Sequence, residues 1–248
     1  MSFKDHFSGH AAGYQAARPT YSDALFDWLA AVAPARELAW DAGCGNGQAS
    51  VALAARFARV HASDPSATQV AHAEARANVD YRVEPSERCS LRDRCADLVT
   101  VAQALHWFDL DAFYREVRRV AKPGGVFAAW AYADCRTGVA AIDALKDHVY
   151  VDLTAPYWPP ERALVETGYR SLPFPFEPIA APSFEMVVAW TADQYLAYLR
   201  SWSGTQRYIK AHGEDPVATI DADLRKAWGG ADERRPVRWD FHLRCGRV

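Results

Sequence analysis

An open, doubly wound α/β sheet with a helical and loop lid and an antiparallel last strand is the architecture this 248-residue chain predicts, on three observations. Five short apolar runs read as parallel strands buried on both faces. Helix-period segments alternate with them, which calls for right-handed crossovers around one sheet. Past residue 135 the texture turns to prolines and aromatics and ends in a strictly alternating segment.

In chain order, Ser22 stands where a helix cap belongs, and "DALFDWLAAVA" places Leu25, Phe26, Leu29 and Val32 on one face. The strands follow at 37–43 ("ELAWDAG"), 59–64 ("RVHASD"), 79–84 ("VDYRVE"), 97–103 ("DLVTVAQ") and 125–132 ("GVFAAWAY"). Val51, Ala54, Ala55 and Ala58 recur at helical spacing after the first strand; Phe113, Val117 and Val120 do so before "KPGG" stops their helix. Residues 155–190, rich in proline and aromatics, read as lid loops with one or two bounded strands. "TADQYLAYLRSWSGTQRYIKAHG" reads as one helix capped by Thr191, with Tyr195, Leu196, Leu199 and Trp202 along one side. Val237, Trp239, Phe241, Leu243 and Cys245 alternate with polar residues, which predicts a strand pairing antiparallel at the sheet edge.

Bulk composition removes whole classes of function. With 28 basic and 31 acidic residues the chain has no electrostatic footprint for nucleic acid. It contains no run of the ~18 apolar residues that a membrane helix needs and no apolar signal core, so a cytoplasmic location is expected. Five cysteines and eight histidines show no metal-type spacing, and no metal site is expected. Half of the residues are apolar, ample for a single core.

The chemistry concentrates in "LAWDAGCGNGQASVALAARFARVHASDPSATQ". Ligands of open parallel sheets bind beyond the carboxyl ends of the strands, where Asp41 to Gly47 sits. Gly43, Gly45 and Gly47 let the backbone turn sharply and approach a ligand. Asp64, 17 residues after Gly47, is placed to accept hydrogen bonds from two ribose hydroxyls, which implies an adenosine ligand. Asp41 stands two residues before the first glycine, where a pyrophosphate would meet unwanted negative charge and a cationic or zwitterionic ligand would be favoured.

"WDAGCGNG", "DPS", "DLVTVAQALHWFD" and "RRVAKPGGVFAAW" resemble class I S-adenosylmethionine-dependent methyltransferases over roughly residues 35–132. "HFSGHAAGYQAARPTYSDALFDWLA", "QALHWFDLDAFYREVRRV" and "YLRSWSGTQRY" resemble the small-molecule branch that contains trans-aconitate methyltransferase. The resemblance implies a Rossmann-like, seven-stranded, mostly parallel sheet and S-adenosylmethionine as cofactor. It implies one domain over residues 1–248: a cofactor-binding core at 35–135, lid and substrate-side elements at 1–34 and 136–236, and a final strand at 237–248. Gly43, Gly45 and Asp41 would surround the methionine part, Asp64 the ribose, and Pro65, Ser66, Ser86 and Glu87 the adenine. Gln103 would pass under the cofactor near its sulfonium, with Tyr14 and Arg18 in a cover over it and Arg18 on the methionine carboxylate.

Each residue also has a plainer reading. Cys44 lacks a matched base and reads better as a small loop filler than as a nucleophile. His106 is the candidate general base, unless "ALHWF" needs only a side chain that packs and donates a hydrogen bond. Trp107, Tyr157, Trp158, Trp202 and Arg207 are candidate substrate-side residues, with Arg207 a possible anchor for an anionic acceptor, or else they are lid core. An ionised carboxylate accepting a methyl group needs no general base, and a small carboxylic acid is the leading acceptor class. The chain is expected to act as a monomer or weak homodimer. A nicotinamide-dependent oxidoreductase and a non-catalytic sensor of an adenosine cofactor are the competing readings; Asp41 and the glycine spacing count against the first, the aromatic C-terminal region against the second.

Overall fold

The five apolar runs form parallel strands in the computed structural model, which describes residues 19–248; Tyr14 and Arg18 lie outside the described residues. The strands are β1 (Leu38–Ala42), β2 (Arg59–Asp64), β3 (Val79–Val83), β4 (Ala96–Ala102) and β5 (Ala121–Arg136). Helices α1 (Asp23–Val32), α2 (Gln48–Ala54), α3 (Ala67–Ala71) and α4 (Leu110–Val120) alternate with them. From β1 the chain steps outward to β2 and β3, then returns to β4 and β5 on the other side. The reversal falls between β1 and β4, the place where such sheets bind ligands.

The C-terminal half adds β6 (Glu177–Pro178), β7 (Met186–Trp190) and β8 (Arg235–Arg247). As expected, β8 runs antiparallel to β5. It is not an edge strand, however, because β6 and β7 pair with its far side, and among the described residues the sheet has eight strands rather than seven. A 13-residue strand leaves a long row of unpaired N–H and C=O groups, and these two short segments satisfy both ends of it.

Alternation along the strands sends side chains to two faces. One carries Trp40, Val99, Val101, Phe113 and Phe127; the other carries Leu29, Leu53, Ala62, Leu98 and Trp130. The ends of β5 and β8 nearest the lid build a third cluster, in which Tyr132, Cys135, Val237 and Trp239 meet the lid helices. Those helices are α5 (Ala140–Asp147), α7 (Ala192–Arg200), α8 (Ser203–His212), through Trp202 at its N-cap, and α9 (Asp221–Trp228), whereas α6 (Arg162–Glu166) packs Val165 into the cluster of Trp40 and Phe127. Fully buried Lys146 ties α5 to β5, its Nζ 2.6 Å from both oxygens of Asp134.

Two local expectations change. Ser22 stands at the N-cap of α1, but its hydroxyl makes no capping bond. The single helix expected after Thr191 is two: Thr191 and Gln194 form a full capping box for α7, which ends at Arg200. Trp202 is extended (φ −65°, ψ 139°) and begins α8. The Ser201 hydroxyl donates to the Tyr198 carbonyl and the Thr205 hydroxyl to that of Leu199, so side chains satisfy the carbonyls at the break.

Candidate functional site

Parallel strands end on one edge, so the segments after β1, β2, β3 and β4 converge. Gly43, Gly45 and Gly47 all have positive φ, at 68°, 56° and 85°. A Cβ on Gly43 would lie 2.7 Å from the Ala104 Cβ and 2.9 Å from the Phe108 ring, and one on Gly47 would collide with the Tyr81 hydroxyl. Both glycines are therefore required by packing. Gly45 differs: among the described residues its Cβ would meet only the Gln69 side chain, at 3.9 Å, which leaves a side where a ligand can touch backbone.

Asp64 organises this loop. Its carboxylate accepts from the Gly45 N–H at 2.9 Å and the Ser66 N–H at 2.8 Å, while the Ser63 carbonyl accepts from Gly43 and Cys44. Ser66, next to Pro65, caps α3 with its hydroxyl. Asp41 lies beneath the loop with no exposed surface and accepts from the Ser50 hydroxyl at 2.6 Å and the Thr100 hydroxyl at 3.0 Å. Burial pushes its carboxyl up to about 6 despite those bonds, and the Asp64 charge adds to the rise. Burial also raises the Cys44 thiol, the opposite of what activates a nucleophile.

After β3, the Glu87 carboxylate accepts from the Asp109 N–H at 3.0 Å and ties this loop to the start of α4. The Ser86 hydroxyl is buried and has no hydrogen-bond partner among the described residues. A buried orphan costs about 1–3 kcal/mol unless a ligand satisfies it. An open glycine, a carboxylate at the β2 exit and this hydroxyl are together a donor and acceptor set that fits an adenosine cofactor.

After β4, Gln103 is left-handed (φ 58°); its backbone donates to the Trp130 carbonyl and its side-chain amide to that of Tyr132, at 2.8 Å. His106 Nδ1 lies 2.9 Å from the Tyr169 hydroxyl. A neutral imidazole that accepts this hydroxyl's proton at Nδ1 carries its hydrogen on Nε2. Burial, helped by the Arg162 charge, lowers the His106 pKa to about 3. His106 is thus a neutral donor, and at neutral pH it is a poor base. Tyr169 itself is buried and left-handed (φ 59°), held by Arg244, which donates to the Tyr169 and Leu172 carbonyls at 2.6 and 2.7 Å.

The substrate-side candidates divide into two groups. Trp158 and Trp202 pack with Tyr150 at centroid distances of 4.8 and 5.4 Å, and Trp107 stacks on His106 at 4.6 Å. Tyr157 instead joins Tyr208 and His212, and Arg207 donates to the Tyr157 carbonyl at 3.4 Å. The sequence reading missed Tyr150, Arg162 and Tyr169. Arg162 sits over the rings of Trp158 and Tyr150, at 5.0 and 5.6 Å. Its only sequence signal is a cation in "YWPPERALVETGY", beside the aromatics that shield it.

Residues 40–129 match the family described as "Methyltransferase domain". A provisionally named methyltransferase of Dictyostelium discoideum is 34% identical over 93% of this chain and 89% of its own length. A provisionally named S-adenosylmethionine-dependent methyltransferase of Saccharomyces cerevisiae is 30% identical over 49% of this chain and 45% of its own. The solved structure of a provisionally named type II methyltransferase from Anaeromyxobacter dehalogenans is similar with a TM-score of 0.87 and 47% identity, covering 93% of this chain and 97% of that one.

Proposed function

The chain belongs to the class I S-adenosylmethionine-dependent methyltransferases, and we propose that its methyl acceptor is a small carboxylic acid. One observation carries this reading: His106, the group nearest to a general base at the β4 exit, is tied to Tyr169 and held neutral. A site with a donor there and no ready base suits an acceptor that arrives already ionised.

In this proposal the Gly43–Gly45 backbone and the Asp41 charge hold the methionine part, Asp64 the ribose, and Pro65, Ser66, Ser86 and Glu87 flank the adenine. Gln103 fixes the floor near the reacting end, and Tyr14 and Arg18 contribute a cover. When bound, S-adenosylmethionine supplies an electrophilic methyl group whose transfer to a carboxylate oxygen leaves a neutral thioether and a methyl ester and moves no proton. The chain's contribution is then alignment and exclusion of water, with Trp107, Trp158 and Trp202 as walls and the His106 Nε2–H oriented by Tyr169. A single domain over residues 1–248, with its core at 35–135, working as a monomer or weak homodimer in the cytoplasm, belongs to the same proposal. In its support, no helix among the described residues is long and apolar enough to cross a membrane.

The test is incubation with methyl-labelled cofactor and a panel of small acids, amines and phenols. Label is expected in a small product that releases methanol in mild base, as an ester does. Base-stable label on nitrogen or phenolic oxygen, or label confined to macromolecules, contradicts the acid reading.

A further inference from the structure

We propose that Arg162 is the anion anchor of the acceptor pocket, holding an acceptor carboxylate with its two terminal nitrogens; this rests on the small-acid reading above. Arg162 opens α6 and keeps 21% of its side-chain exposure. Its Nε donates to the Tyr150 hydroxyl at 3.0 Å, and Tyr150 donates in turn to Glu166. The Glu166 carboxylate lies 3.5 Å from Nε, beyond a short hydrogen bond. Nη1 and Nη2 have no partner among the described residues.

Other shielded arginines contrast with it. Arg56 is closed by Asp23 and Asp27, Arg119 by Glu116 and Asp93, Arg200 by Asp215 and Asp221, and Arg244 by two carbonyls. A guanidinium stacked on Trp158 and Tyr150, with the outer edge of its fork unused, is preorganised for bidentate capture of a carboxylate. Its place is right for the reaction: the end of its own helix turns straight into Tyr169, whose N–H donates to the Leu164 carbonyl at 2.9 Å and whose hydroxyl lies 2.9 Å from His106 at the β4 exit. Ala104 and Phe108 of that same turn press on Gly43 of the cofactor loop. In this proposal Arg162 is the charged donor to an anion beside the loop that carries the cofactor.

The experiment needs no turnover. Protein saturated with S-adenosylhomocysteine is titrated calorimetrically with benzoate, succinate and citrate and with the corresponding amides. At least one acid is expected to bind, its amide roughly tenfold or more weakly. Arg162→Met should lose roughly tenfold or more of the acid affinity, and with it the preference over the amide, while S-adenosylhomocysteine affinity stays within about twofold. Retention of that affinity reports a folded site, and Arg162→Lys, which keeps charge without the fork, should fall between. Equal acid binding by wild type and Arg162→Met overturns the anchor and leaves the acid reading intact. Failure of every acid to bind wild type removes the reading, and the anchor with it.

Discussion

Asp64→Ala is expected to weaken binding of S-adenosylhomocysteine by roughly a hundredfold or more while the chain stays folded. Its carboxylate accepts from Gly45 and Ser66 backbone N–H groups, and hydrogen bonds to a charged group are worth about 1.5–3 kcal/mol each. Without them the Gly45 turn loses the contact that fixes it to the β2 exit. The ribose loses its proposed acceptor in the same substitution, so two contributions vanish together. The side chain is only partly buried and sits at a strand end, away from the apolar clusters, so the unfolding midpoint should move little. Asp64→Asn, which keeps one acceptor oxygen, should bind with intermediate affinity. Calorimetry decides the matter; affinity within about threefold of wild type in a folded Asp64→Ala protein would take Asp64 out of the cofactor site.

Asp41→Asn should stabilise the cofactor-free protein at pH 7.5 and weaken S-adenosylmethionine binding. Asp41 is fully buried, and its carboxyl is raised from 3.8 to about 6, mainly by burial. For a raised carboxyl the folded state holds the proton longer than the unfolded state. Its contribution to stability is thus fully present below pH 3.8 and lost as pH rises through about 6. At pH 7.5 the buried charge costs up to about 3 kcal/mol, which the neutral amide avoids. The new amide can keep its oxygen toward the Ser50 donors and turn its nitrogen to the Thr100 hydroxyl, which then accepts from it. The thermal midpoint should rise by about 5 °C or more at pH 7.5, and the gain should vanish near pH 4. S-adenosylmethionine affinity should fall by roughly tenfold, because the negative charge under a cationic ligand is gone. A variant no more stable than wild type at pH 7.5 would show that Asp41 is already protonated or better solvated than its surroundings indicate.

Elements dictated by local pattern were legible, and those dictated by distant partners were not. The strand runs, the glycine loop and the Thr191 cap follow from periodicity and from side-chain chemistry within four residues. The covering of β8 was not readable, because Glu177–Pro178 carries a proline and a charge and pairs only over two residues. The break at Trp202 was hidden because apolar spacing runs straight through it. Arg162 reads as a surface cation on a short helix; only folding brings Tyr150, 12 residues back, onto it. His106 shows the same limit. Its neutrality depends on burial and on the Arg162 charge, 56 residues on, and its orientation on Tyr169, 63 residues on, which is held by Arg244, 75 residues further along.

The central claim, that an ionised small acid is methylated without help from a base on the chain, is tested most directly by the pH dependence of kcat/KM for the acceptor at saturating cofactor. Burial, with the Arg162 charge adding to it, lowers the imidazole pKa to about 3, so it does not titrate in the working range. The profile is expected to stay flat from about pH 6.5 to 9, with any acid limb set by the acceptor's own carboxyl, and to keep its shape in His106→Gln. An ascending limb with a midpoint between about pH 6 and 8 that disappears in His106→Gln would contradict the account and make His106 the base.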